Sequence, residues 1–221
     1  QMERRAPPPW PLLSAGSREL DPAPPQGFVG RGAELSRLAE RWLPRPSDAS
    51  PAAGAAVAVV QGLAGLGKTA LAGEGIHLWH GQFKYVLCFQ AKPTPLQVDE
   101  FLRQVDFRLT NVSPAYRDRC ERNERDRVYL PVGTLPAEQR DGLLVENLIQ
   151  ALRNEAVLLV LDNWETNLEP QPTAEHGYRA RDPRWDRLLE RLSAELPATR
   201  SRLLVTTRHR PAGLADASRV E

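Results

Sequence analysis

Eight consecutive residues carry the clearest chemical signal in the sequence. They are Gly62, Leu63, Ala64, Gly65, Leu66, Gly67, Lys68 and Thr69, and they match G-x-x-x-x-G-K-[ST] at every fixed position. Glycines let successive backbone N–H groups turn inward around a phosphate. A lysine at this place reaches the β- and γ-phosphates, and the threonine hydroxyl ligates Mg²⁺. The motif therefore predicts a nucleotide phosphate site, with Ala70 leading into the next element.

The residues on either side of this loop predict the strand and the helix that such a site needs. Residues 55–61 form a continuous, valine-rich apolar run, which is typical of a strand buried on both faces. The stretch Lys68–Trp79 is predicted as a helix, whose N-terminus adds a positive dipole at the phosphates. This context leaves little room for the alternative of a purely structural glycine turn.

A second candidate site lies at the end of the most apolar strand signal, Val157–Asp162. Open parallel sheets place their ligands at the carboxyl ends of the strands, so Asp162 is predicted to hold Mg²⁺ directly or through water. The alternative is a cap for the following helix. The next position, where an acid would polarise the attacking water, is Asn163. Glu165 is the nearest carboxylate that could act as a base, the alternative being a solvated loop glutamate.

Arg208 follows the last long strand signal, Arg202–Thr207. In a parallel sheet that end lies at the same edge as the phosphate loop. Arg208 could therefore sense a γ-phosphate and stabilise charge that develops in the transition state. The alternative is an ordinary surface arginine, because the 29 basic residues of this chain include only three lysines.

The order of predicted elements indicates an α/β fold with a parallel sheet. Further helices are predicted over residues 33–43, near 96–109, from Pro136 onward and after the Asp182-Pro183 pair, and another strand over Tyr85–Gln90. Residues 111–127 are crowded with Arg, Asp and Glu and are predicted to be a solvated insertion. Residues 1–26 are rich in proline and are predicted to be a disordered tail or linker.

Composition excludes several classes of protein. The chain has 221 residues, and its 29 Lys+Arg nearly balance its 28 Asp+Glu, so no global field favours nucleic acid or a membrane. The longest apolar run, residues 52–60, is too short to cross a bilayer. Two cysteines cannot form a disulfide framework or a four-ligand zinc site. We expect a soluble, cytoplasmic protein without a signal peptide.

The order of four segments resembles a known family. These segments are Phe28-Val29-Gly30-Arg31, the glycine loop, the run from Leu158 through Asp162 to Glu165, and Leu204-Val205-Thr206-Thr207-Arg208. Together they resemble the STAND class of P-loop NTPases, and within it the NB-ARC domain of apoptosome, plant resistance and bacterial regulatory proteins. The resemblance covers residues 27–221. It implies a three-layer P-loop NTPase fold with a mostly parallel sheet flanked by helices.

The resemblance also implies a role for each matching residue. The backbone around Val29 and Gly30 would meet the adenine of ATP or ADP, and Arg31 would lie near the nucleotide. The glycine loop would hold the phosphates, Asp162 would lie on the Mg²⁺ side, and Arg208 would be the sensor arginine. In this family a last strand and a lid follow. We therefore expect a fragment cut before both, whose partners are a copy of itself or lid and effector domains elsewhere.

The function that follows is a switch that closes on Mg-ATP, hydrolyses it slowly and resets with ADP. One alternative is a fast ATPase motor of the AAA+ type, against which Asn163 argues. Another is a binding-only module in which the nucleotide is a structural ligand.

Overall fold

The computed structural model describes residues 12–14, 30–42, 56–126, 135–171, 177–214 and 218–220. The strands and helices between residues 57 and 207 follow the order that the sequence predicts, whereas residues 12–14, inside the predicted disordered tail, and residues 218–220 form two further strands. The strands are β1 (Leu12–Ser14), β2 (Val57–Gln61), β3 (Tyr85–Gln90), β4 (Val157–Asp162), β5 (Arg202–Thr207) and β6 (Ser218–Val220). The helices are α1 (Gly32–Trp42), α2 (Lys68–Trp79), α3 (Val98–Val112), α4 (Pro114–Asp126), α5 (Ala137–Asn154) and α6 (Pro183–Glu195).

The six strands form one sheet in the order β1-β3-β4-β5-β2-β6, and every pair is parallel. Strands β4 and β5 are buried at every position, as expected for a sheet covered on both faces. Strand β5 lies between β2 and β4, so the phosphate loop and Asp162 lie at the ends of two strands that are not neighbours. The predicted α/β fold class with a parallel sheet flanked by helices is confirmed.

Alternate residues of each strand point into two different cores. Val60 of β2 packs with Leu71 and Ile76 of α2 on one face. Val59 belongs to the larger core on the other face, where α3, α5 and α6 pack. The larger core contains an aromatic cluster: ring centroids lie 4.7 Å apart for Phe89–Phe101, 5.0 Å for Phe101–Trp185 and 4.6 Å for Trp164–Trp185. The sheet is therefore the middle of three layers.

The segment predicted to be a solvated insertion, residues 111–127, is largely exposed where the structure describes it, and it is helical. Helix α3 continues to Val112, and α4 begins at Pro114. The Ser113 hydroxyl accepts a hydrogen bond from the N–H of Tyr116 at 3.1 Å, which caps the new helix. Tyr116 is buried and donates its hydroxyl to the Asp106 carboxylate at 2.7 Å. Because so few residues of α4 are buried, its sequence lacks a visible apolar period.

Helix α6 begins as predicted from the Asp182-Pro183 pair. The Asp182 carboxylate accepts the N–H of Arg184 at 3.0 Å, and proline occupies the first helical turn. The Arg184 guanidinium also bonds this carboxylate and holds the pKa of Asp182 below its ordinary value. Among the described helices, none combines the length and the apolar character needed to cross a membrane.

Candidate functional site

The glycine loop connects β2 to α2 at the carboxyl edge of the sheet. Gly65 and Gly67 have φ of 77° and 72°, a left-handed conformation that L side chains rarely adopt. Gly67 is the N-cap of α2, has no side-chain capping bond, and no acid occupies the first turn. The helix N-terminus is therefore open toward an anion. The loop is tied to β5 where it starts, because the N–H of Gly62 donates to the carbonyl of Thr207 at 3.2 Å.

Lys68 lies folded against the inside of this loop. Its side chain is buried, and Nζ donates to the carbonyl of Leu63 at 3.0 Å. Leu63 and Leu66, by contrast, are 75% and 48% exposed. The backbone conformation thus directs the apolar side chains outward and brings the ammonium group across the loop.

Arg31 reaches the same loop from the start of α1. Its guanidinium donates to the carbonyl of Leu66. Gly30 precedes it with φ of 96°, a turn that favours glycine. Arg31 is therefore placed beside the phosphate loop, while Val29 lies outside the described residues.

The Asp162 carboxylate is fully buried and accepts hydrogen bonds from four side chains. Its Oδ1 accepts the hydroxyl of Thr69 at 2.9 Å and the hydroxyl of Thr206. Its Oδ2 accepts the amides of Gln90 at 3.1 Å and Asn163 at 2.8 Å. A carboxylate with this many donors is held in one orientation.

Gln90 and Thr206 were not among the residues that the sequence predicts for the site, and Asn163 was noted only as the place where an acid is missing. Gln90 is the last residue of β3 and lies opposite Asp162 in the sheet register. Thr206 comes from β5, and its hydroxyl oxygen also accepts the N–H of Asn163 at 3.1 Å. Their position could have indicated them, because each is a polar residue at the carboxyl end of an apolar strand.

The chain turns sharply after Asp162 and is then fixed in place. Asn163 has φ of 56°, a left-handed conformation that asparagine tolerates well. Trp164 is buried against Trp185 in an edge-to-face contact. The Asn167 amide donates to the carbonyl of Leu96 at 2.8 Å and accepts its N–H at 3.0 Å. The short helical turn after Asn163 is therefore anchored on both sides of Glu165.

Glu165 forms an ion pair with Arg208, and the two atoms involved, Oε1 and Nε, lie 2.9 Å apart. The side chains are 14% and 49% exposed, respectively. The other carboxylate oxygen of Glu165 is buried and has no hydrogen-bond partner within the described part of the chain. Gln61, directly before the glycine loop, donates to the carbonyl of Arg208 at 3.3 Å. The predicted base and the predicted sensor are thus in contact with each other.

The segment that follows Arg208 is held by a neighbouring loop. The N–H of Tyr178 donates to the carbonyl of Arg210 at 2.8 Å, and the Tyr178 carbonyl accepts the N–H of Ala212 at 2.9 Å. The Tyr178 ring stacks on His209, with centroids 4.3 Å apart. This contact holds the backbone beyond Arg208 at the carboxyl edge of the sheet.

Comparison with known proteins bears on the fold. No protein-family model and no curated protein sequence matches the chain. Among solved structures, the crystal structure of Cdc6p from Pyrobaculum aerophilum matches with a TM-score of 0.51 and 17% identity, over 86% of this chain and 42% of that one. The chain therefore spans less than half the length of this neighbour. At this identity the likeness shows the fold alone, which is that of a P-loop NTPase.

Proposed function

We propose that this chain binds Mg-ATP and ADP and is the nucleotide-binding part of a larger signalling or regulatory protein, working as a switch that hydrolyses ATP slowly. The observation that carries the proposal is the hydrogen bond from Thr69 to Asp162, next to Lys68 in an intact phosphate loop. The fold and the four-segment resemblance to NB-ARC domains support the same assignment.

The residues present fit a magnesium ion. The Thr69 hydroxyl donates its proton to Asp162, which leaves its oxygen lone pair available to a cation. Both are hard oxygen ligands, the kind that Mg²⁺ prefers. The described residues contain no cluster of three or more His, Cys, Asp or Glu side chains suited to a metal. Mg²⁺ commonly takes one or two protein oxygens and completes its shell with phosphates and water, and when bound it neutralises phosphate charge.

The groups around the glycine loop fit a chain of phosphates. The open N-terminus of α2 and the ammonium of Lys68 offer positive charge on the inside of the loop. Arg31 offers a second cation at its outer side. A preference for adenine through the backbone around Val29 and Gly30 rests on the resemblance. Competition between GTP and ATP for the site tests it, and equal displacement by GTP would remove it.

Slow hydrolysis follows from the residues beside Asp162. Asn163 cannot take a proton from water, and its amide is committed to the Asp162 carboxylate. Glu165 is the carboxylate that we assign to water activation, but it is paired with Arg208. Hydrolysis therefore requires the ion pair between Glu165 and Arg208 to open first.

A binding-only module is the second candidate, and the same ion pair favours it. If Arg208 never leaves Glu165, the bound nucleotide stays intact and acts as a structural ligand. A fast motor is a third possibility that the P-loop fold by itself allows.

Phosphate release measured together with nucleotide binding separates these functions. We expect Mg-ATP binding and slow phosphate release, above the level of a Lys68→Ala variant. Binding without release above that level would support the binding-only module, and many turnovers per second would support a motor. Absence of Mg-ATP and ADP binding in the intact chain, with its natural flanking regions, would contradict the proposal.

A further inference from the structure

The pair formed by Arg208 and Glu165 lies at the edge of the sheet where the phosphate loop begins. We infer that Glu165 determines the preference of the site for ATP over ADP, because it competes with the γ-phosphate for Arg208. This inference rests on the proposed function. It assigns to Glu165 a role in nucleotide discrimination in addition to the proposed activation of water.

The carboxylate is the fixed member of the pair. Its turn is held by the buried Trp164 on one side and by the double hydrogen bond between Asn167 and Leu96 on the other. The Glu165 side chain is only 14% exposed. It has little freedom to follow a partner that moves.

The guanidinium is the member that can move. The backbone of Arg208 is held by the amide of Gln61, and the next residue is held by Thr207, whose hydroxyl donates to the His209 carbonyl at 2.8 Å. The side chain itself is 49% exposed, and its contact with Glu165 uses Nε. Rotation of the side chain can therefore break the ion pair without displacing β5.

Only a triphosphate offers Arg208 a better partner. Guanidinium groups bind phosphate oxygens with two parallel hydrogen bonds, and the γ-phosphate adds negative charge that ADP lacks. With ADP, the pair stays closed and has no effect on affinity. With ATP, Arg208 must leave Glu165, so the pair weakens ATP binding. Its departure also frees Oε1 of Glu165 to accept a hydrogen bond from water.

The test compares equilibrium affinities for ADP and for a non-hydrolysable ATP analogue, both with Mg²⁺, by displacement of a fluorescent ADP. Glu165→Gln keeps the shape of the side chain but removes its charge. We expect it to tighten binding of the ATP analogue about two- to fivefold, the range that such an ion pair is worth, and to leave ADP affinity unchanged. Arg208→Gln should weaken the analogue and leave ADP unchanged. The double variant should bind the analogue with the affinity of Arg208→Gln, because without Arg208 there is no ion pair for ATP to break and the charge of Glu165 no longer matters.

The matched control is Glu169→Gln, which removes the same charge four residues away. Glu169 forms no ion pair within the described ranges, and we expect no change in either affinity. Equal tightening by both glutamate variants would reduce the effect to general electrostatics and overturn the inference. So would an unchanged ratio of affinities in Glu165→Gln, or additive effects in the double variant. Failure of the proposed function looks different, because neither nucleotide would then bind in a manner that depends on Lys68.

Discussion

Thr69 and Asp162 are 93 positions apart in the chain, yet the hydroxyl of one donates to the carboxylate of the other at 2.9 Å. Thr69 lies just beyond the loop that follows β2, and Asp162 is the last residue of β4; these two strands are separated in the sheet by β5. The intervening strand takes part in the contact, because Thr206 of β5 donates to the same carboxylate oxygen. Asp162 therefore joins the phosphate loop, β5 and β4 in one hydrogen-bonded unit.

Replacement of Asp162 tests the magnesium role of this unit. Asp162→Ala removes the acceptor of the Thr69 hydroxyl and the only carboxylate next to it in the described site. We expect the gain in ADP affinity that Mg²⁺ provides to disappear, while metal-free ADP binding changes much less. Titration calorimetry with Mg²⁺ and with EDTA measures both. Equal losses under the two conditions would argue against a metal role.

Replacement of Thr206 tests how far the carboxylate depends on β5. Thr206→Val keeps the shape of the fully buried side chain but removes its hydroxyl. Asp162 then loses a donor and the N–H of Asn163 loses its acceptor. We expect a loss of about 1–3 kcal/mol in the free energy of unfolding, measured with urea. Thr206→Ser keeps the hydroxyl and should lose clearly less. Valine and serine variants of equal stability would contradict the assignment.

The N-cap of α6 gives a prediction that depends on pH. The pKa of Asp182 is lowered in the folded state by the Arg184 hydrogen bonds, so its stabilising effect is present above the ordinary carboxyl value of 3.8 and is lost as the pH falls through the folded value. Asp182→Asn keeps the cap and removes the charge, whereas Asp182→Ala should cost about 1 kcal/mol at pH 7. We expect wild type to be more stable than the asparagine variant at pH 7, with the difference shrinking below pH 4. A constant difference in urea unfolding would contradict the ion-pair contribution.

The local sequence pattern was sufficient to predict those elements whose signal lies within a short segment. The sequence places β3, β4, β5 and α2 at the residues where the structure has them, because buried parallel strands are continuous apolar runs and the phosphate loop has fixed spacing. The N-cap at Asp182 is equally local. Helix α4 could not be predicted from the sequence, because a solvated helix anchored by Tyr116 has almost no apolar period.

The contacts that the sequence could not predict depend on the order of the strands in the sheet. That Gln90 and Thr206 both reach Asp162 depends on β4 having β3 and β5 as its two neighbours, and nothing in a single sequence fixes that order. The contact of Glu165 with Arg208 has the same origin. The sequence indicates both residues as separate candidates, but their pairing depends on the order of the strands in the sheet.

The central claim is that the loop of residues 62–69 binds nucleotide phosphates through Lys68. Calorimetric titration with Mg-ATP tests it most directly, with wild type, Lys68→Ala and Arg200→Ala compared in the intact chain. Arg200 is exposed just before β5, at the edge of the sheet opposite the glycine loop, and its replacement removes the same charge. The account predicts that Lys68→Ala abolishes detectable binding and that Arg200→Ala binds as wild type does. Unchanged affinity of Lys68→Ala for Mg-ATP would contradict it.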